Sequence, residues 1–371
     1  MNLSYWEIKS WLSNTDFTIV GSGIVGLSCA LYLRERFPKA SILILEQGFL
    51  PQGASTKNAG FACFGSLSEI IEDLKTHSEE EVLQLVKKRV DGLNLLKQTL
   101  GEKAIGYKNY GGYELFLEQD DLYESCLEKI DKINKLLEPI FNASVYGIKP
   151  NSFQFKNIKE HTIFNTFEGQ IDTGLMMEAL LKKVQSKGIK ILNNCHVESF
   201  VENGNSVKIK TNLFEFSSSK LLIATNGFAS QLINQEVKPA RAQVLITKPI
   251  KDLHIKGTFH LDKGYYYFRN IDNRILFGGG RNLDFKGEET IEFGQTEQIQ
   301  NRLEDILKTV ILPNTPFEVE HRWSGIMGIG HQKKAIVKPL SNQVFCGVRL
   351  GGMGIAIGSL VGKELAELAC H

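Results

Sequence analysis

Apolar residues along these 371 positions alternate between short unbroken runs and helical spacing, which predicts strands and helices in succession. Residues 16–20 form a short apolar run that reads as a buried strand. Residues 27–33 carry helical apolar spacing, and residues 41–45 read as a second strand. Val82, Leu85, Val86, Val90, Leu93 and Leu96 then fall on one helical face, opened at Ser78 and Glu81 by a capping-box pattern. Residues 110–117 read as a strand, and Leu122, Leu127, Ile130, Ile133 and Leu137 mark a second amphipathic helix. Asp172 caps a helix through Lys187, a strand follows at 189–192, and residues 197–211 form a hairpin with a polar turn at Glu202 to Asn205. Strands are expected at 220–224, 242–246, 264–269, 274–278 and 344–347, with a last helix over 355–368.

The junctions between these elements carry the chemistry. The first strand passes directly into Gly21, Ser22, Gly23, Ile24, Val25 and Gly26, and the second ends on Glu46 and Gln47. Gly21 suits a tight strand-to-helix turn, Gly23 lets backbone approach a pyrophosphate, and Gly26 lets the helix pack against the strand. The helix start offers free N–H groups and a positive dipole end to a phosphate. Glu46 stands about twenty residues past the last glycine, where a carboxylate accepts ribose hydroxyls. A dinucleotide site is therefore expected.

The acid alone does not choose between FAD and NAD. The next loop, containing Ser55, Thr56, Asn58, Ala59, Gly60 and Phe61, is small and hydroxyl-rich. It reads either as an ordinary polar connection or as a row of donors along a ligand that continues past its pyrophosphate. Two later corners repeat the strand-to-glycine design: Thr225, Asn226 and Gly227, then Arg349, Gly351, Gly352, Met353, Gly354 and Ile355. Together they favour FAD, with the last helix start facing the pyrimidine edge of a flavin. NAD alone leaves both later corners without a task.

This order of motifs, with a Trp323-Ser324-Gly325 element between the later corners, resembles the D-amino-acid oxidase family, in particular its glycine oxidase, sarcosine oxidase and γ-glutamylputrescine oxidase-like branches. The resemblance covers nearly all the chain from residue 16. It implies an α/β fold, α+β overall, in which a Rossmann-type FAD-binding domain (1–88, 166–228, 322–371) interlaces with a discontinuous substrate domain (89–165, 229–321) on a mixed or antiparallel sheet. It implies that backbone at Val197 meets adenine and that Gly325 belongs to the cofactor site. It also implies hydride transfer from a small amine or amino acid to flavin N5, giving an imine and then a carbonyl product, with dioxygen as acceptor. The alternative is C–O oxidation of a hydroxy acid or glycerol 3-phosphate.

Tyr265, Tyr267 and Arg269 alternate, so on a strand they share one face. They are the candidate substrate contacts; the competing reading is a sheet whose aromatics fill a core. Glycine oxidase has a Tyr-x-x-x-Arg strand that resembles Tyr265 to Arg269. One departure stands out. Where glycine oxidase reads Trp-x-Gly-x-Arg, with that arginine gripping the substrate carboxylate, this chain ends the motif on Met327. Either Arg269, Arg322 or Arg349 replaces the lost fork, or the substrate lacks an α-carboxylate. The lysines Lys333 and Lys334 read either as a solvated loop or as positive charge near the site of oxygen reduction. Gly325 and Lys57–Asn58 stand where tethered relatives carry a cysteine or histidine, so FAD is expected to be noncovalent.

Composition adds limits. Positive and negative side chains nearly cancel, 43 against 42, so neither nucleic acid nor an anionic membrane is an expected partner. Six cysteines without paired spacing point to a reduced, cytoplasmic protein and to no metal site. Tyr5, Trp6 and Trp11 are expected to pack as a flap on the body, the alternative being a membrane-surface helix.

Overall fold

The strand Thr15–Val20 lies inside a parallel sheet because its apolar residues are covered on both faces. In the computed structural model, which describes residues 2–370, that sheet runs Ile336–Pro339, Val344–Val348, Glu215–Ile223, Thr15–Val20, Ile42–Leu45, Lys190–Leu192. Only Ile336–Pro339 is antiparallel to its neighbour within this order. The expected hairpin forms as Val197–Asn203 and Ser206–Thr211, and it extends the sheet from the outer part of Glu215–Ile223. Asp16 ties the first two strands together, accepting the N–H of Ser41 at 2.7 Å.

Three helices, Ile24–Arg36, Thr173–Ser186 and Gly354–Leu368, contribute to the core on one face of this sheet. Their approach is close. A Cβ on Gly362 would sit 2.6 Å from the carbonyl oxygen of Val25, so Gly354–Leu368 packs backbone-near against Ile24–Arg36.

A second sheet of eight strands runs Val319–Ile329, Lys238–Thr247, Arg274–Gly279, Tyr266–Ile271, Thr258–Leu261, Gly112–Leu115, His161–Asn165, Tyr146–Pro150. All its pairings are antiparallel except that of Thr258–Leu261 with Gly112–Leu115. One face carries a core of stacked and edge-on aromatics, with Phe259 and Phe268 rings 4.5 Å apart. The helix Glu297–Ile306 closes that core. The architecture is thus α/β with two interlaced mixed sheets.

Two expected domain limits fall inside continuous elements. Glu79–Leu100 runs unbroken through 88/89 and buries Leu93 and Leu96 in the parallel-sheet core. Val319–Ile329 runs unbroken through 321/322, held by its long pairing with Lys238–Thr247. Apolar periodicity reports which face of an element is buried, not which sheet buries it.

The N-terminal aromatics do not form a packed flap. Ser4 caps a short helix, Tyr5–Glu7, that continues as Ile8–Leu12, and of these residues only Leu12 is buried. Tyr5 and Trp6 are 66% and 69% exposed. Leu12 anchors the segment, packing into the core with Val20 and Leu43. No helix among the described residues is long and apolar enough to cross a membrane.

Candidate active site

A cleft of about 530 Å³ runs between the two sheets, and the three glycine corners meet along it. At one end lie Gly21, Gly23, Ile24 and Val25. Gly21 sits at φ +102°, where an added Cβ would also stand 2.9 Å from the carbonyl oxygen of Ala224. Gly26 does not line the cleft. Its Cβ would fall 2.0 Å from the carbonyl oxygen of Gly21, so it fixes the helix start by close packing. Ser22 also turns inward, donating its N–H and hydroxyl to Glu46 Oε2 at 3.0 and 2.7 Å. Glu46 is thereby aimed, with its other oxygen accepting the N–H of Gly48 at 3.1 Å. Gln47 and Val197 line the same end.

The following loop is braced by its own side chains. Asn58 donates to the carbonyls of Ala54 and Ser55 and accepts the N–H of Gly60 at 2.8 Å. Ser55 Oγ reaches back to accept the N–H of Ile24 at 2.9 Å. Thr56 is spent on the carbonyl of Pro51 at 2.8 Å and lies off the cleft. Trp323 Nε1 donates to the carbonyl of Lys57 at 2.9 Å, tying the second sheet to this loop beside Gly325. Ala59, Gly60 and Phe61 carry the wall onward.

Asn226 joins the other corners, its Oδ1 accepting the N–H of Leu350 at 3.1 Å. Thr225 and Asn226 line the cleft, whereas Gly227 is buried against Met327. Gly352 and Gly354 line it too, and a Cβ on either would meet nothing within 4 Å. Met353 and Ile355 complete the start of the last helix. Arg349, at φ +65°, is drawn aside to the carbonyl of Lys334 and to Glu236.

The sheet end of the cleft differs from expectation in one residue. Tyr265 and Tyr267 line it, but Arg269 does not. Arg269 shares a strand face with Tyr267, as alternation requires, yet its Nε donates to the carbonyl of Ala59 beneath the loop. Burial pushes its guanidinium down to about 10. Tyr265 precedes the strand, which starts at Tyr266. Burial raises Tyr267 to about 12, so its hydroxyl stays protonated.

Two groups here had no role assigned from sequence: His260, which with His321 and His331 reads as a candidate base but more readily as a structural histidine, and Arg281, which carries no sequence assignment. His260 lines the cleft, its Nε2 lies 2.5 Å from Glu168, and its ring meets Phe61 edge-on at 5.2 Å. Burial favours the neutral imidazole, but Glu168 outweighs it through charge and hydrogen bond, and the group is raised to about 9. Arg281 also lines the cleft, directly after Gly278, Gly279 and Gly280. That strand-then-glycine signature matches the one that marked the other corners.

These features fit a long dinucleotide. Two helix starts open onto the cleft, small residues leave room for backbone approach, and the buried hydroxyl of Thr225 has no partner among the described residues. The family model for FAD-dependent oxidoreductases matches residues 16–368. The chain belongs to that family. Among curated relatives, this FAD-dependent oxidoreductase is 21% identical over 375 residues to a Haemophilus influenzae protein named "Probable oxidoreductase OrdL", covering 96% of this chain and 83% of that protein. It is 24% identical over 310 residues to the mitochondrial L-2-hydroxyglutarate dehydrogenase of Bos taurus, covering 74% of this chain and 63% of that protein. Among solved structures, glycine oxidase from Bacillus cereus superposes with TM-score 0.78 at 16% identity, covering 96% and 97% of the two chains. L-proline dehydrogenase from P. horikoshii gives 0.75 at 18%, covering 96% and 93%. Such likeness shows the shared fold.

Proposed function

We propose that this flavoenzyme oxidises the C–N bond of a small amino acid or amine in the cytoplasm, with dioxygen as electron acceptor. Bound FAD supplies a two-electron acceptor for the hydride that leaves the substrate carbon. Gly21, Gly23, Ile24, Val25, Glu46, the 53–61 loop and Gly351 to Ile355 would hold it without a covalent bond. The residues of the second sheet orient the substrate, with Tyr265 and Tyr267 as its wall. In the family-like division of labour, segments 1–88, 166–228 and 322–371 serve FAD, and 89–165 and 229–321 the substrate.

One observation carries the choice of bond: the imidazole on the cleft wall, His260, is paired at Nε2 with the buried carboxylate of Glu168 at 2.5 Å. An amine that has first given up its ammonium proton to solvent releases hydride without a base in the protein, because its nitrogen lone pair stabilises the product. A hydroxyl must also surrender its proton to a base. His260 is held as a cation up to about pH 9 by Glu168, so it is no acceptor at neutral pH. Glu69, also on this wall, commits one carboxylate oxygen to the N–H of Ser66 at 2.9 Å.

A second reading is supported by relatives named L-2-hydroxyglutarate dehydrogenase: oxidation of a hydroxy acid's C–O bond. With His260 as base, that reaction would accelerate as pH rises through about 9. Anaerobic mixing at pH 7.5 separates the two. The C–N reading expects amino acids to bleach the flavin band and hydroxy acids to leave the flavin oxidised, at most shifting its band on binding; the reverse pattern rejects it. Peroxide formation on admitting air tests the acceptor.

A further inference from the structure

Each arginine put forward from sequence to replace the missing carboxylate fork is already engaged. Arg269 donates to the carbonyl of Ala59, Arg349 is bound to Lys334 and Glu236, and Arg322 holds Gln300 and Glu304 at 2.7 and 2.6 Å. Met327, at the fork's usual place, lines the cleft with a thioether. Lys263 pairs with Glu72 at 3.3 Å and Lys333 with Asp73 at 2.5 Å. Lys57 and Arg89 also line the cleft without an ion pair, but the Lys57 ammonium lies over the Phe293 ring at 5.2 Å beside the cofactor loop, and Arg89 donates to the carbonyl of Phe64 at 2.7 Å.

Arg281 is different. Its guanidinium lines the cleft, lies over the Phe285 ring at 4.7 Å, and has no carboxylate within ion-pair distance among the described residues. The two nearest acids that act on it, Glu288 and Glu289, are drawn away to Arg241 and Lys238. Arg281 is half-buried, and that burial holds its guanidinium below the usual value.

The backbone sets this residue in place. Gly279 and Gly280 have φ of +127° and +80°, and a Cβ on Gly279 would stand 2.1 Å from the carbonyl oxygen of Tyr265. Gly280 donates its N–H to that same carbonyl at 3.0 Å. The turn is therefore clasped against Tyr265, and Asn282 fastens its far side to Asp262 at 3.0 Å. An aromatic hydroxyl and a planar cation thus sit on adjoining, rigidly joined backbone at the cleft wall.

We infer that Arg281 is the carboxylate anchor of this enzyme, gripping an acidic substrate from the end of strand Arg274–Gly279 where its relatives of the glycine oxidase type use the strand that here carries Met327. The substrate class is then a small carboxylate-bearing amine, with amines that lack an acid excluded. This deepens the proposed function and rests on it for the amine, not for the acid.

The experiment uses the FAD-loaded enzyme and follows flavin absorbance as glycolate, a small carboxylate, is titrated in. Wild type is expected to bind it and to lose that affinity as methylglycolate replaces glycolate. Arg281→Gln should weaken glycolate binding on the order of a hundredfold, and Arg281→Lys roughly tenfold, because lysine keeps charge without the two-pronged fork. Flavin content should stay unchanged in both. Glycolate binding in Arg281→Gln equal to wild type would overturn the assignment, as would a wild type indifferent to the ester. If substrates prove to be hydroxy acids but still depend on Arg281, the anchor stands while the C–N reading falls.

Discussion

At the nucleotide end of the cleft the working surface is backbone: Gly21, Gly23, Gly352 and Gly354 leave room for close approach, and side chains such as Ser22 and Thr56 turn away to brace it. At the reaction end the working surface is side chains: Tyr265, Tyr267, His260 and Arg281 project from a sheet whose other face is a packed aromatic core. A backbone site recognises what every family member binds. A side-chain site is free to change with the substrate, and Met327 in place of an arginine is such a change.

The comparison is broken most severely by a single methyl group at Gly26. Gly26→Ala places a Cβ 2.0 Å from the carbonyl oxygen of Gly21, and backbone cannot yield as a flexible side chain does. We expect a loss of about 3 kcal/mol of stability and no retained FAD, read by thermal melting and by flavin absorbance of the purified protein. Full flavin content in this variant would show that the helix start is not what holds the cofactor.

Arg269→Met sharpens the comparison, since Arg269 belongs to the second sheet yet supports the cofactor loop. Losing its bond leaves the carbonyl of Ala59 unpaired, at about 2 kcal/mol. Removing a buried guanidinium that burial has pushed down to about 10 returns a similar amount. Net stability should therefore change little, while FAD affinity falls roughly tenfold as the loop loosens. Glycolate affinity of the FAD-saturated variant should stay near wild type. A selective loss of glycolate binding would restore Arg269 as a substrate contact.

The smallest effect is a pH dependence confined to the reaction end. Glu114, raised to about 7 by burial against the bonds from Ser68, stabilises the fold while protonated. That contribution is complete below about 4.5 and is lost as pH rises to about 7. His260, raised from 6.5 to about 9, stabilises fully below 6.5 and loses its contribution as pH rises through 9. Melting temperature should thus decline in two steps as pH rises, the first between about 4.5 and 7 and the second between 6.5 and about 9. Glu168→Gln should erase the upper step and leave the lower; an unchanged upper step would remove Glu168 as the cause.

The nucleotide end was legible in sequence because its logic is local: strand, glycines, helix and acid fall within residues 16–61, and each glycine answers a backbone demand. Even there, Ser22, Gly26 and Thr56 support the wall from behind, a distinction that spacing does not encode. The reaction end is assembled from distant strands. Alternation placed Tyr267 and Arg269 correctly on one face, but the partner that consumes Arg269 lies 210 positions away. The Glu168 that sets the charge of His260 is 92 positions away. Arg281 did carry a local sign, three glycines after a strand, and it is the feature most open to earlier reading.

The most direct test of this separation of labour is the ratio of bound FAD to protein, measured by absorbance for wild type and Arg281→Gln after identical reconstitution. One FAD per chain in both proteins, with glycolate affinity lost only in the variant, is the predicted result. A colourless wild type, or a variant that sheds FAD along with glycolate, would contradict it.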